Sequence, residues 1–241
     1  DDESAVEKLF KDYGSRIAAV LVEPMPANTG LMIQRNDYLR FLRAITTRHG
    51  ALLIFDEVIS GFRFRYGGYE AGVVPDLVTL GKIIGGGLPV GALTGPADIM
   101  DKLAPLGPVY QAGTLSGNPL VTAAGSTVLA RLRDRPPYAA LDALGARFEA
   151  VLIATGNPLA RVVRFGSVMW PYFSTADFPR VDTSIDVAAI GRFNRIHRKL
   201  LERGFYLPPS GYEVLFISAA HTGRQVEALA AAIGDCLKED V

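Results

Sequence analysis

The chain has 241 residues, 49% hydrophobic and 21% charged, with 25 Lys and Arg against 25 Asp and Glu. That composition excludes a disordered, fibrous or disulfide-scaffold protein, and at roughly 100–200 residues per domain the length gives one or two domains with a sizeable core. A formal net charge of zero lacks the clustered basic surplus of a nucleic-acid partner. The single cysteine, Cys236, cannot form an intramolecular disulfide, so a reducing cytoplasm is the expected location. No apolar run approaches the ~18–20 residues of a membrane span.

The first segment, Asp1 to Ser15, is charged and helix-like and leads straight into a strand. It reads either as a cut through a longer chain or as a processed terminus, and composition leaves both open. Ile17 to Val22 is a continuous β-rich apolar run, as expected of a strand buried on both faces. Asn36 to Arg48 places Leu39, Leu42 and Ile45 at a spacing of three under an Asn36 N-cap, which predicts a helix ended by Gly50. Further strands are expected at Ala51 to Phe55, Leu77 to Leu80 and Val90 to Thr94. Strands separated by helices imply right-handed crossovers and a mostly parallel sheet, hence an α/β fold.

A helix from Pro119 to about Arg133 is stopped by Pro136 and Pro137, which sets the expected boundary between a first domain, 1–134, and a smaller α+β domain, 135–241. The second domain reads as a helix near Tyr138 to Ala154, β-like runs at Ala160 to Phe165 and Val168 to Phe173, and a helix near Ile185 to Arg203. A strand at Val214 to Ser218 and a helix from about Gly223 to Lys238 complete it.

Two stretches carry the chemistry. Phe55-Asp56-Glu57-Val58 puts two carboxylates directly after an apolar strand, at the sheet edge where open α/β folds hold their ligands. Asp56 there is either a ligand for a cation or donor or the cap of the next turn. In Thr79 to Val90, Lys82 is flanked by apolar residues and glycines, unlike the other five lysines. It is either an amine kept neutral by apolar surroundings, able to condense with a carbonyl, or a snorkelling surface lysine beside a flexible turn. The glycines of 85–91 are not a dinucleotide fingerprint, because Pro89 and a β-run stand where the pyrophosphate-binding helix would start. Together, a carboxylate and a desolvated lysine suit a cofactor with both a basic nitrogen and an aldehyde, which describes pyridoxal phosphate. His49, His197 and His221 lack metal-ligand spacing. Arg63 and Arg65 beside Phe62 and Phe64 read as a strand or loop edge, and Trp170, Tyr172 and Phe173 as core of the smaller domain.

Phe55-Asp56-Glu57-Val58, Pro75-Asp76-Leu77, Gly81-Lys82-Ile83-Ile84-Gly85-Gly86-Gly87 and Tyr110 to Pro119 resemble, in order, the motifs of the class III pyridoxal-phosphate aminotransferases. Within them they are most similar to the glutamate-1-semialdehyde 2,1-aminomutase branch. The resemblance extends to Leu207-Pro208-Pro209-Ser210, Glu213 and Ser218 to Thr222, and so covers essentially the whole chain.

The resemblance implies a fold-type-I pyridoxal-phosphate-dependent transferase, with the mostly parallel sheet of a partial large domain plus a small C-terminal α+β domain. It implies that Lys82 holds the cofactor aldehyde as a Schiff base and relays protons, that Asp56 pairs with the pyridinium nitrogen, and that Val58 packs on the ring. Glu23 and Asn28 would line the cofactor's hydroxyl side, and Thr114 with the backbone at Gly113 would reach the phosphate held by a partner subunit, so a homodimer with shared sites is expected. Glu213 would belong to the substrate site. The implied reaction passes through pyridoxal and pyridoxamine phosphate forms and converts glutamate-1-semialdehyde to 5-aminolevulinate for tetrapyrrole synthesis. The alternatives are an ω- or β-amino acid aminotransferase, an amino-acid racemase, or an inactive scaffold that only dimerises. The substrate would be a small amino-acid-like molecule in each active case. Family members carry about as much sequence again ahead of the residue matching Asp1, including a glycine/serine phosphate cup, a ring-stacking aromatic, a gating loop and a carboxylate-binding arginine. The interval from Asp56 to Lys82 is slightly short for the aminomutases, which puts the Arg63 to Gly72 loop outside the family pattern, and Pro26 stands where a small residue is expected.

Overall fold

A computed structural model describes residues 1–240. They form two compact units, the first comprising 1–25 and 33–136, the second 26–32 together with the chain from 137 onward.

The first unit opens with α1 (Glu3–Tyr13), β1 (Ala19–Val22) and α2 (Asn36–His49), continues through β2 (Leu52–Glu57), β3 (Leu77–Gly81) and β4 (Gly91–Thr94), and closes with α3 (Ala97–Met100) and α4 (Pro119–Asp134). The sheet order is β1-β2-β3-β4. The first three strands are parallel and β4 is antiparallel to β3, so the sheet is mixed and mostly parallel. No helix separates β2 from β3, contrary to the regular alternation expected from the sequence; residues 58–76 cross over as turns and loop.

Alternation along β2 sends Leu53, Phe55 and Glu57 to one face, where the leucine and phenylalanine pack with Leu39 and Leu42 of α2 and with Ala71. A neighbouring cluster joins Phe10 of α1, Ile45 of α2 and Ala51. Strand β2 runs two residues further than the apolar pattern predicts and includes both Asp56 and Glu57. Helix α2 is capped at Arg35 rather than Asn36, with no side-chain cap bond; instead the Asp1 carboxylate accepts from the Arg35 backbone N–H at 3.3 Å and from Nε at 3.0 Å. Gly50 ends the helix in a left-handed conformation, as its position predicts. Asp76 ties three elements together. Its Oδ2 accepts from Leu53 N at 2.7 Å and from Arg43 Nη1 at 2.8 Å, while its own N–H donates to Leu53 O at 2.8 Å.

The second unit contains α5 (Tyr138–Ala154), β5 (Val162–Phe165), β6 (Val168–Pro171), α6 (Val187–Glu202), β7 (Leu215–Phe216) and α7 (Gly223–Lys238). Its antiparallel sheet, ordered β5-β6-β7, covers a core of Phe148, Leu152, Met169, Phe173, Phe193, Ile196 and Ile233, with Cys236 packed among them. Trp170 is fully buried, and its indole N–H donates to Gly211 O at 2.8 Å. Asp186 caps α6 through Ala188 N, and Thr222 with Gln225 forms a capping box at the start of α7. No helix among the described residues is long and apolar enough to cross a membrane.

Candidate active site

Because β1, β2 and β3 are parallel, their carboxyl ends share one edge of the sheet. Glu23 follows β1 directly, Asp56 is the fifth residue of β2, and Lys82 follows β3 directly. Val22 pairs with Phe55 and Asp56 with Thr79, so the two carboxylates come from adjacent strand ends. Their proximity is electrostatic as well as topological. Burial pushes the Glu23 carboxyl above its usual range, the Asp56 charge pushes it the same way, and the Lys82 ammonium opposes both.

Asp56 is half-buried. Its Oδ1 accepts from Val58 N at 3.1 Å, so it makes the turn-capping bond that its position after an apolar strand permits. Its other oxygen takes no hydrogen bond from a described residue. Thr79, paired with Asp56 across the parallel register and therefore on the same face, has a buried Oγ1 without a partner.

Lys82 is one of two non-glycine residues with positive φ among the described residues, at +47°, a conformation costing about 1–2 kcal/mol for an L-residue. It opens a 3₁₀ turn (Lys82–Gly85) that Gly86 ends in the left-handed region, its N–H donating to Ile83 O at 3.1 Å. The turn is held from outside by α4. Gly125 lets that helix approach so closely that a β-carbon there would sit 2.3 Å from Ile84 O, and one on Gly86 would sit 2.8 Å from Ala124 O. Lys82 is exposed, so the desolvated setting expected from its apolar neighbours is not found in this chain: Ile83 and Ile84 are themselves only half-buried, and the backbone turn carries the lysine out of the core. Its amine makes no hydrogen bond or ion pair with a described residue.

Val58 stands against Gly81, where a β-carbon would lie 3.1 Å from its Cγ1. Gly113 and Thr114 lie on an exposed loop leading to α4. Gly113 O accepts from Ser116 N at 2.9 Å, Asn118 Oδ1 caps the helix through Leu120 N at 3.0 Å, and Gly113, Ser116 and Asn118 border an open concavity of about 750 Å³. Thr114 shares no hydrogen bond with Asp56 or Lys82 among the described residues. Asn28 and Glu213 belong to the second unit, where both are exposed. Their loops are joined by Gly30 N donating to Tyr212 O at 2.7 Å.

Each histidine has a local partner. His49 lies 4.9 Å from the Phe10 ring, His197 Nε2 is 3.0 Å from Leu207 O, and His221 Nδ1 accepts from Ser218 N at 3.0 Å. No group of three or more His, Cys, Asp or Glu able to hold a metal occurs among the described residues. Sequence reasoning gave no role to Thr79, and named Glu57 only as one of two carboxylates at the strand end. Thr79 sits three residues before Lys82, and its only signal is being polar inside a β-run. Glu57 is 2% exposed, and a second acid beside Asp56 on an alternating strand has to face the opposite way.

A flat heteroaromatic with a basic nitrogen and an aldehyde suits this donor set. Asp56 has a free oxygen for the nitrogen, Thr79 has an orphaned hydroxyl beside it, and Lys82 has an uncommitted amine. The aminotransferase class-III family model matches residues 2–233. A glutamate-1-semialdehyde 2,1-aminomutase from Syntrophomonas wolfei subsp. wolfei is 47% identical over 244 residues, covering 99% of this chain and 56% of that protein. The chain thus spans little more than half the length of such relatives. Among solved structures, an omega-transaminase from Sphaerobacter thermophilus superposes with a TM-score of 0.87 at 31% identity, covering 99% of this chain and 56% of that one. A glutamate-1-semialdehyde-aminomutase from Pseudomonas aeruginosa PAO1 in complex with PMP superposes with a TM-score of 0.85 at 28% identity, covering 100% and 55%. By the extent of the family match and the fold it shares with these enzymes, the chain belongs to the class-III aminotransferase family.

Proposed function

We propose that the protein is a pyridoxal-phosphate-dependent enzyme and that it isomerises glutamate-1-semialdehyde to 5-aminolevulinate. The observation that carries the first part is the convergence of Glu23, Asp56 and Lys82 at one sheet edge, with the Lys82 amine uncommitted. When bound, the cofactor supplies an electron sink for carbanion chemistry. Asp56 would hold a proton on the ring nitrogen through its free oxygen, and Val58 would pack against the ring. Lys82 would hold the cofactor at its aldehyde end, and its Nζ would carry a proton to and from the substrate carbon. Glu23, its carboxyl raised by burial and by Asp56, would line the hydroxyl side; the family resemblance gives Asn28 the same role and Glu213 a role toward the substrate.

The isomerase reading is supported by the 47% identity to the Syntrophomonas wolfei enzyme. The backbone likeness to the Sphaerobacter thermophilus omega-transaminase favours a second reading, amino transfer between two substrates on the same scaffold. In both, Gly113 and Thr114 serve the cofactor phosphate of a second copy, so the working unit is a homodimer in the cytoplasm acting on a small amino-acid-like substrate.

The full-length protein, loaded with pyridoxal phosphate, reduced with borohydride and peptide-mapped, is expected to carry its label on Lys82. It is then expected to convert glutamate-1-semialdehyde without a second amino donor; a requirement for such a donor would select the transaminase. Label on no lysine would leave a scaffold without this chemistry.

A further inference from the structure

Glu57 is a buried acid that the proposed chemistry does not use, although it adjoins Asp56. Pointing away from that residue, it closes the following loop on itself. Its backbone carbonyl accepts from Gly61 N at 2.9 Å, and its Oε2 accepts from Tyr69 N at 2.5 Å and from Ser60 Oγ at 3.4 Å. Inside the ring so formed, Phe62 N donates to Gly67 O at 2.8 Å and Arg63 N to Ser60 O at 3.0 Å. Phe62 itself is held at φ +57°, the other positive-φ non-glycine residue besides Lys82 among the described residues.

The near end of this ring grips the two residues before Lys82. A β-carbon on Gly61 would lie 2.5 Å from Leu80 Cδ2, and one on Gly81 would lie 3.1 Å from Val58 Cγ1. The far end is fitted to the carboxylate equally closely, since a β-carbon on Gly68 would meet Glu57 Oε1 at 2.8 Å. A left-handed lysine persists only where its surroundings leave it no cheaper backbone. Here Val58 and Gly61 press on Gly81 and Leu80, and both are carried by the loop that the carboxylate closes.

We propose that Glu57 is a positioning residue for Lys82: by closing the 58–69 loop it seats Val58 and Gly61 against Gly81 and Leu80 and so fixes the backbone from which the lysine projects. The inference rests on the proposed role of Lys82.

The test uses the full-length holoprotein and its Glu57→Ala, Glu57→Gln and Gly68→Ala variants. The visible absorbance of the Lys82–cofactor link is titrated with pH, and kcat and KM are measured with glutamate-1-semialdehyde. Glu57→Ala is expected to move the titration midpoint by about 0.5 pH or more and to lower kcat about tenfold with KM little changed, as misorientation at the reacting centre does. Glu57→Gln keeps an acceptor for Tyr69 N–H and is expected to restore both. Gly68→Ala, at an exposed position, pushes on the same carboxylate from the loop side; it is expected to reproduce the shift in part and decides the matter should Glu57→Ala not fold. A wild-type midpoint and kcat in Gly68→Ala or Glu57→Ala would overturn the inference. Borohydride label elsewhere than Lys82 in the wild type would instead overturn the proposed function.

Discussion

Gly30 rests on the six-membered ring of Trp170. A β-carbon there would come within 2.7 Å of three ring carbons, and the residue sits at φ +79°. The contact pins the 26–32 segment, which carries Asn28, to the second unit. One hydrogen bond completes the pin, from Gly30 N to Tyr212 O, and the Trp170 indole N–H holds the neighbouring Gly211 O. Gly30→Ala is therefore expected to destabilise the full-length protein by about 1–3 kcal/mol through overpacking. Trp170→Phe, which keeps an aromatic ring but strands a buried carbonyl, is expected to cost a similar ~1–3 kcal/mol. Denaturant unfolding followed by fluorescence and circular dichroism measures both, and an unchanged midpoint for Gly30→Ala would mean that the segment yields without cost.

At the sheet edge, Asp56→Ala removes the acceptor of Val58 N–H together with the charge facing the proposed ring nitrogen. Loss of a charged hydrogen bond is worth about 1.5–3 kcal/mol, so affinity for pyridoxal phosphate is expected to fall roughly ten- to a hundredfold. Lys82→Ala should abolish borohydride-stable labelling while leaving the thermal transition of the cofactor-free protein in place, because the amine makes no hydrogen bond or ion pair with a described residue. Equilibrium dialysis and calorimetry separate the two effects. Undiminished affinity in Asp56→Ala would remove that carboxylate from the site.

The sequence pattern reveals the strands because a parallel sheet made to be covered on both faces writes itself as unbroken apolar runs, and it reveals α2 because Leu39, Leu42 and Ile45 recur at helical spacing and Gly50 ends them. It misses the last two residues of β2, since Asp56 and Glu57 end the apolar run while the backbone goes on pairing with Thr79 and Leu80. It also misses the antiparallel direction of β4, which no composition encodes. Lys82 stands out as a lysine among glycines, but its exposure depends on a left-handed turn set by α4 and by the 58–69 loop. The role of Glu57 depends on a backbone N–H twelve residues away, and neither distance nor direction of that kind is present in local spacing.

The approach of α4 to the lysine turn gives a packing test. A methyl group at Gly125 would fall 2.3 Å from Ile84 O, a backbone atom that cannot rotate away. Gly125→Ala should therefore separate helix and turn, at a cost of about 1–3 kcal/mol in stability. Because Ile84 lies two residues past Lys82, pyridoxal phosphate binding should also weaken. A variant of wild-type stability and affinity would show that the turn follows the helix without loss.

Glu57 also makes stability depend on pH in a direction that can be worked out. Burial pushes its carboxyl above the ordinary 4.5, and the bonds from Tyr69 N–H and Ser60 with the Arg65 charge only partly offset this. The folded protein therefore binds this proton more tightly than the unfolded chain does. The associated stabilisation is fully present below pH 4.5 and is lost as the pH rises through the folded-state value, above which a buried charge has to be carried. Glu57→Gln cannot titrate. The difference in unfolding free energy between Gln and Glu variants, measured by denaturant titration across about pH 4 to 8, should move in favour of Gln as the pH rises and then level off. Taking that difference cancels the parallel contribution of Glu23, whose carboxyl is raised in the same direction. A difference that stays constant with pH would mean that the Tyr69 and Ser60 bonds fully balance burial, leaving Glu57 an ordinary carboxylate at the foot of its loop.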